Sequence, residues 1–256
     1  MKERFPKIGE IKKALEKNTK LATEDGGRYI YKENEWGAYD SPLVSFEITL
    51  GAVLPDEEGN TQKSEVFRKY IEKTLSNKGK RDLTAIEFGG PGSELFKGFT
   101  PNFFAKTVGV CLADIRNQRK QKEDKRNNHS VIVGDITEIT KDKTLTKVTQ
   151  TLGTNKTDLI ISRMEGPIIL IDKNPAILDR IIRNWYDLLN KNGLMFIQFE
   201  LPKYQPRYTE PLIKKWANAI KEKFPEVDIQ VNKGVLRLHK RVGAPEKLPP
   251  ATQLFT

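Results

Sequence analysis

The chain has 256 residues, 37% hydrophobic and 30% charged, and its 44 Lys and Arg against 34 Asp and Glu leave a formal net charge of +10. That length suits one α/β core plus an extension; no apolar run approaches the roughly 18 residues of a membrane span, and the opening MKERFPKIGEIKK lacks the apolar core of a signal peptide, so a cytoplasmic protein without a membrane partner is expected. Cys111 is the single cysteine, which excludes an internal disulfide, and His129 and His239, the two histidines, form no HxxxH or clustered His/Asp set, so no metal is expected.

Residues 1–63 read as an extension. Ile8, Ile11 and Leu15 on a lysine-rich background suggest a short amphipathic helix, followed by Tyr29, Tyr31, Trp36 and Tyr39 among Gly, Asp and Asn. Leu43 to Leu50 is strand-like, and Pro55 to Asn60 is a loop. From Ser64 to Leu75, Val66, Phe67, Tyr70, Ile71 and Leu75 recur at helical spacing, which predicts the helix before the first core strand.

Leu83 to Ser93, LTAIEFGGPGS, then runs an apolar strand into Glu87 and into Gly89, Gly90, Pro91 and Gly92. The glycines let the backbone turn sharply and approach a bound molecule, and a helix opening at Ser93 would aim its amides at that molecule. The same loop could also be a plain structural bend. Thr107 to Ile115, TVGVCLADI, is a second buried strand ending at Asp114, and Cys111 within it reads as a small buried residue. Ser130 to Ile136, SVIVGDI, is a third, ending in Gly134 and Asp135. Thr157 to Ser162 is a fourth and Gly193 to Glu200 a fifth. In an open parallel sheet ligands bind beyond the carboxyl ends of the strands, and an acid at the tip of the second strand can accept hydrogen bonds from a ribose diol.

Arg116 to Arg126 is the densest basic run, read as the solvated face of a helix that could also touch a polyanion. Both histidines are expected at the surface. Between Tyr208 and Phe224, Leu212, Ile213, Trp216 and Ile220 form a helical stripe. Val227 to Val231, the turn Asn232-Lys233-Gly234 and Val235 to His239 read as a hairpin. A nicotinamide-binding GxGxxG is unmet, because Leu95 stands where its third glycine is expected.

The series IEFGGPGS, CLADI, VIVGDI, DLIISRMEG and LLNKNGLMFIQFE resembles the ordered motifs of the class I S-adenosylmethionine (SAM)-dependent methyltransferases over roughly residues 64–240. The resemblance implies an α/β Rossmann-like sheet of seven mostly parallel strands with an antiparallel C-terminal hairpin. The domain would span residues 64–242, with 243–256 as a tail. It implies methyl transfer from SAM (EC 2.1.1.-), with S-adenosylhomocysteine as product. Glu87, Phe88, Gly89, Gly90, Pro91, Gly92 and Ser93 would hold the methionine part, Asp114, Ile115 and Arg116 the ribose, and Gly134, Asp135 and Ile136 the adenine; Ser162 and Arg163 would lie beside the sulfonium. Pro91 and Ser93 fall where the family's later two loop glycines belong. Trp36 and Tyr39 would belong to a substrate lid, or simply pack on the sheet.

Ser162-Arg163-Met164-Glu165 replaces the Asn/Asp-Pro-Pro-aromatic tetrad by which enzymes that methylate base amines resemble one another, which disfavours that route. Glu165 is the candidate general base, or an ion-pair partner of Arg163, and Tyr204 and Tyr208 are candidate substrate contacts. The leading expectation is methylation of an O or N nucleophile on a small molecule or protein. Net charge keeps RNA open as the substrate, and a non-catalytic SAM-fold binding protein is the third reading.

Overall fold

The computed structural model describes residues 42–45, 47–54, 64–76, 82–111, 114, 116–134, 136, 139–140, 143–163, 175–199 and 209–250. The expected helix near residue 8, the aromatic stretch with Trp36 and Tyr39, the loop from Pro55, and Ile115, Asp135, Glu165, Tyr204 and Tyr208 lie outside these residues. A 3₁₀ turn (Leu43–Ser45), α1 (Glu47–Gly51) and α2 (Ser64–Ser76) precede β1 (Thr84–Phe88), α3 (Ser93–Lys97) and β2 (Lys106–Cys111). Then come α4 (Gln118–Arg126), β3 (His129–Val133), α5 (Thr144–Leu152), β4 (Thr157–Ser162), α6 (Pro175–Leu188) and β5 (Leu189–Gln198). The elements close with α7 (Thr209–Lys223), β6 (Val227–Asn232) and β7 (Val235–Lys240).

The seven strands form one sheet in the order β3-β2-β1-β4-β5-β7-β6. β1 to β5 are parallel where they pair, and β7 runs antiparallel to both β5 and β6. This is a Rossmann-like α/β sheet, mostly parallel with an antiparallel C-terminal hairpin. The chain steps outward from β1 to β3 and then returns to the other flank of β1 at β4, so the β1/β4 boundary is the switch point where α/β sheets open a crevice. The last hairpin closes on Lys233 and Gly234, both at positive φ (49° and 74°), as a two-residue primed turn requires.

Strand alternation sends the core two ways. Ile86, Phe88, Val108, Val110 and Ile160 pack with α5, α6 and α7 on one face. Ala85, Leu159, Ile161 and Phe196 pack with α1, α2 and α3 on the other. On the first face Phe88 stacks on Trp185 with centroids 4.4 Å apart, a pair that contributes about 0.5–1.5 kcal/mol beyond its burial.

Leu43 to Leu50 is helical rather than extended. Leu43, Glu47 and Leu50 are buried while Val44 and Ile48 are exposed, a spacing of three to four residues that suits a helix lying on the core. The β-branched residues that suggested a strand were outweighed by this packing. At the opposite end of the chain, buried Lys240 lays its ammonium on the Tyr186 ring, 4.3 Å from the centroid, and donates to Glu246 O at 3.1 Å. Tyr186 Oη in turn donates to Pro245 O, so the tail after β7 is pinned to α6 as well as to β7. Burial pushes the Lys240 ammonium below its ordinary range.

Candidate functional site

The segment after β1 turns on Gly89 (φ 96°) and Gly92 (φ 77°), left-handed conformations that disfavour side chains. Gly89 N–H donates to Val110 O at 2.8 Å and Gly90 bridges Val110, so the loop folds back along β2. There Pro91 rests on Gly109, where a Cβ would come within 1.9 Å of Pro91 O. His129 holds the loop from β3: its Nε2 donates to Pro91 O at 2.7 Å. A carbonyl only accepts, so Nε2 carries the hydrogen, and in the neutral ring Nδ1 accepts from Thr107 Oγ1 at 2.7 Å. His129 is therefore buried, against the surface position expected, because both ring nitrogens have partners beneath the loop. His239 is half-buried on β7.

Glu87 shares the loop's face of the sheet. A Cβ on Gly90 would lie 3.0 Å from its carboxyl carbon, and one on Gly92 would lie 3.2 Å from Oε2. The carboxylate is thus roofed by glycines. Arg163, the residue after β4, donates from Nε to Glu87 Oε1, and both side chains are 1% exposed. The pair spans the switch point and couples the glycine loop to the end of β4. Phe88 faces away, onto Trp185, so only its backbone is turned toward the strand end.

At the end of β2, Asp114 Oδ1 accepts from the backbone N–H and the Nε of Arg116 at 3.1 and 2.9 Å, and Oδ2 accepts from Nη2 at 2.9 Å. A carboxylate offers about four lone-pair sites, so one on Oδ2 is left. Arg116 Nη1 also donates to Asp124 Oδ2 at 2.7 Å, and Ser93 Oγ donates to the same oxygen at 2.6 Å. The first residue of α3, the last turn of α4 and the segment after β2 are tied together by these bonds. Ser93 and Arg116 spend their side chains on this network.

Burial pushes the Asp114 carboxyl up, but the hydrogen bonds and charge of Arg116 outweigh it and hold the group below the ordinary carboxylate range. A carboxyl depressed on folding stabilises above its unfolded value of about 3.9, and that stability is lost as pH falls through the folded value. Arg116→Met is therefore expected to flatten the fall in unfolding free energy below about pH 4. Denaturant titrations of both proteins at stepped pH check this, and parallel acid limbs would count against the pairing.

Gly134, after β3, packs against Thr144 and is buried, and Ile136 lies in the core. Ser162 closes β4 with a fully buried Oγ that has no hydrogen-bond partner among the described residues. A buried hydroxyl left so at a strand end marks a place for a polar ligand atom. Among the residues not anticipated, Gly109 carried a sequence signal, since a lone glycine within an apolar strand marks close backbone approach. Asp124 carried none, because one acid in a basic run reads as a surface charge.

No family model matches the chain, and no curated protein matches it. Among solved structures, the fold is similar to an S-adenosylmethionine-dependent methyltransferase from Clostridium acetobutylicum (12% identity, TM-score 0.43, 68% of this chain and 92% of that one). It is also similar to the N-methyltransferase NodS from Bradyrhizobium japonicum (10%, TM-score 0.39, 68% and 96%). A third is SAM-bound CalS10, an amino pentose methyltransferase from Micromonospora echinaspora (9%, TM-score 0.33, 51% and 48%). The chain thus spans about half the length of CalS10, and 51% of a matched Galdieria sulphuraria protein.

Proposed function

We propose that this protein is a SAM-dependent methyltransferase acting on an O or N nucleophile of a small molecule or protein. The observation that carries the reading is the set of groups gathered at the switch point: a glycine loop roofing Glu87, and Asp114 with one acceptor site open and the Ser162 hydroxyl without a partner among the described residues. These groups fit a ligand with a polar chain and a ribose. Glu87 with Gly89 to Ser93 would hold the methionine part, Asp114 would accept from one ribose hydroxyl, and Gly134 with Ile136 would border the adenine. When bound, SAM supplies an activated sulfonium methyl, so the residues around it need only align the nucleophile and exclude water. Ser162 and Arg163 are the positioning groups on that side, and we assign Glu165 as the base where the nucleophile must lose a proton.

Calorimetry with SAM and S-adenosylhomocysteine tests this, using wild type, Asp114→Ala and NAD as control. Micromolar binding by wild type, weakened about 10- to 100-fold in Asp114→Ala, is the expected result, since a hydrogen bond to a charged group contributes about 1.5–3 kcal/mol. No binding by wild type refutes the cofactor. Binding without transfer to any acceptor would make the protein a regulatory module, and full turnover by Glu165→Gln would remove its role as base.

RNA is the second reading for the acceptor. Arg119, Lys122, Lys125 and Arg126 are exposed on α4, and no hydrogen bond or ion pair engages their side chains among the described residues. Affinity for RNA that falls steeply with salt would favour it.

A further inference from the structure

A cavity of about 280 Å³ lies away from the strand carboxyl ends, between α3, the turn that follows it and the starts of β2 and β3. We propose that it is a second binding site, for a single-ring aromatic amine. Its apolar wall is Phe96, Phe99, Phe103 and Phe104, which meet one another largely edge to face, with Phe104 at 5.9, 5.1 and 4.9 Å from the other three. Such rings present both apolar surface and electron-rich faces to a cation. The volume lies just under the roughly 300–1,000 Å³ of pockets for drug-sized ligands, which restricts the occupant to about one ring.

The polar end of the cavity is Asp124, whose side chain is 1% exposed. Its Oδ2 accepts from Ser93 and Arg116, but its Oδ1 has no hydrogen-bond partner among the described residues. A carboxylate oxygen without a protein donor can accept from a ligand N–H, a charge-assisted hydrogen bond. At the rim, Lys97 is engaged by Glu94 and Glu123. Arg126 also borders the cavity, so an anionic ligand is the necessary control.

The test titrates phenethylamine, its neutral isostere phenethyl alcohol and the anion phenylacetate into wild type, Asp124→Asn and Phe103→Ala, by calorimetry at neutral pH. Saturable binding of the amine is expected, at least about tenfold tighter than of the alcohol or phenylacetate and weakened at least about tenfold in Asp124→Asn. Phe103 is only half-buried, so Phe103→Ala keeps the fold and decides the matter if Asp124→Asn does not fold; it too should weaken the amine. Failure of the amine to saturate, equal affinity for all three probes, or undiminished binding in the folded variants overturns the proposal. The cavity adjoins the glycine loop at Ser93, so a parallel SAM titration of wild type and of Phe103→Ala reports on the cofactor reading separately.

Discussion

Gly109→Ala should destabilise the protein by at least about 3 kcal/mol, the upper range for forcing atoms into a packed interior. The new Cβ would lie 1.9 Å from Pro91 O and 2.2 Å from Pro91 C, and both are backbone atoms that no rotamer change can move aside. Gly109 is paired with Glu87 on one flank and Val131 on the other, so β2 cannot retreat without losing ladder hydrogen bonds on both sides. The loop must lift instead, which strips His129 of its bond to Pro91 O and unroofs Glu87. Urea unfolding checks the result, and a midpoint equal to that of wild type would mean that Pro91 does not rest on β2.

Arg163→Met should cost about 3–5 kcal/mol, because it leaves the Glu87 carboxylate buried without its cation. Taking both charges away should cost far less, since two apolar residues need no compensation for lost water. The double variant Glu87→Leu/Arg163→Met is thus expected to be more stable than Arg163→Met alone, with a coupling of at least about 1 kcal/mol in the cycle. Additive effects would show that the two side chains do not act as a pair. The same cycle read by SAM affinity separates stability from binding, because the paired charges also join the glycine loop to the end of β4.

Several features were legible in the residues before any coordinates. Buried parallel strands appear as short apolar runs, and each of these ended at polar residues, so β1 to β4 and the terminal hairpin could be located. The Lys233-Gly234 turn announced itself by its need for positive φ. What misled was the stretch from Leu43 to Leu50, whose β-branched residues suit a strand until the core offers a helix-spaced row of contacts. His129 misled for a related reason: a histidine between a basic run and a strand looks solvated, and only the return of the loop over β2 covers it.

The sequence by itself determined the alternation of strands and helices, the acid at the end of β1, the glycine loop and the acid after β2, because these depend on local periodicity and on backbone freedom. Only the tertiary structure decided which groups each acid meets. Glu87 and Arg163 are 76 residues apart in the chain, and Ser93 and Asp124 are 31 apart. Hydrogen bonds of that span arise from the strand order, which brings β4 beside β1 and folds α3 against α4. No window along the chain carries that information, since short-range pattern fixes which face a side chain takes but not what lies opposite it.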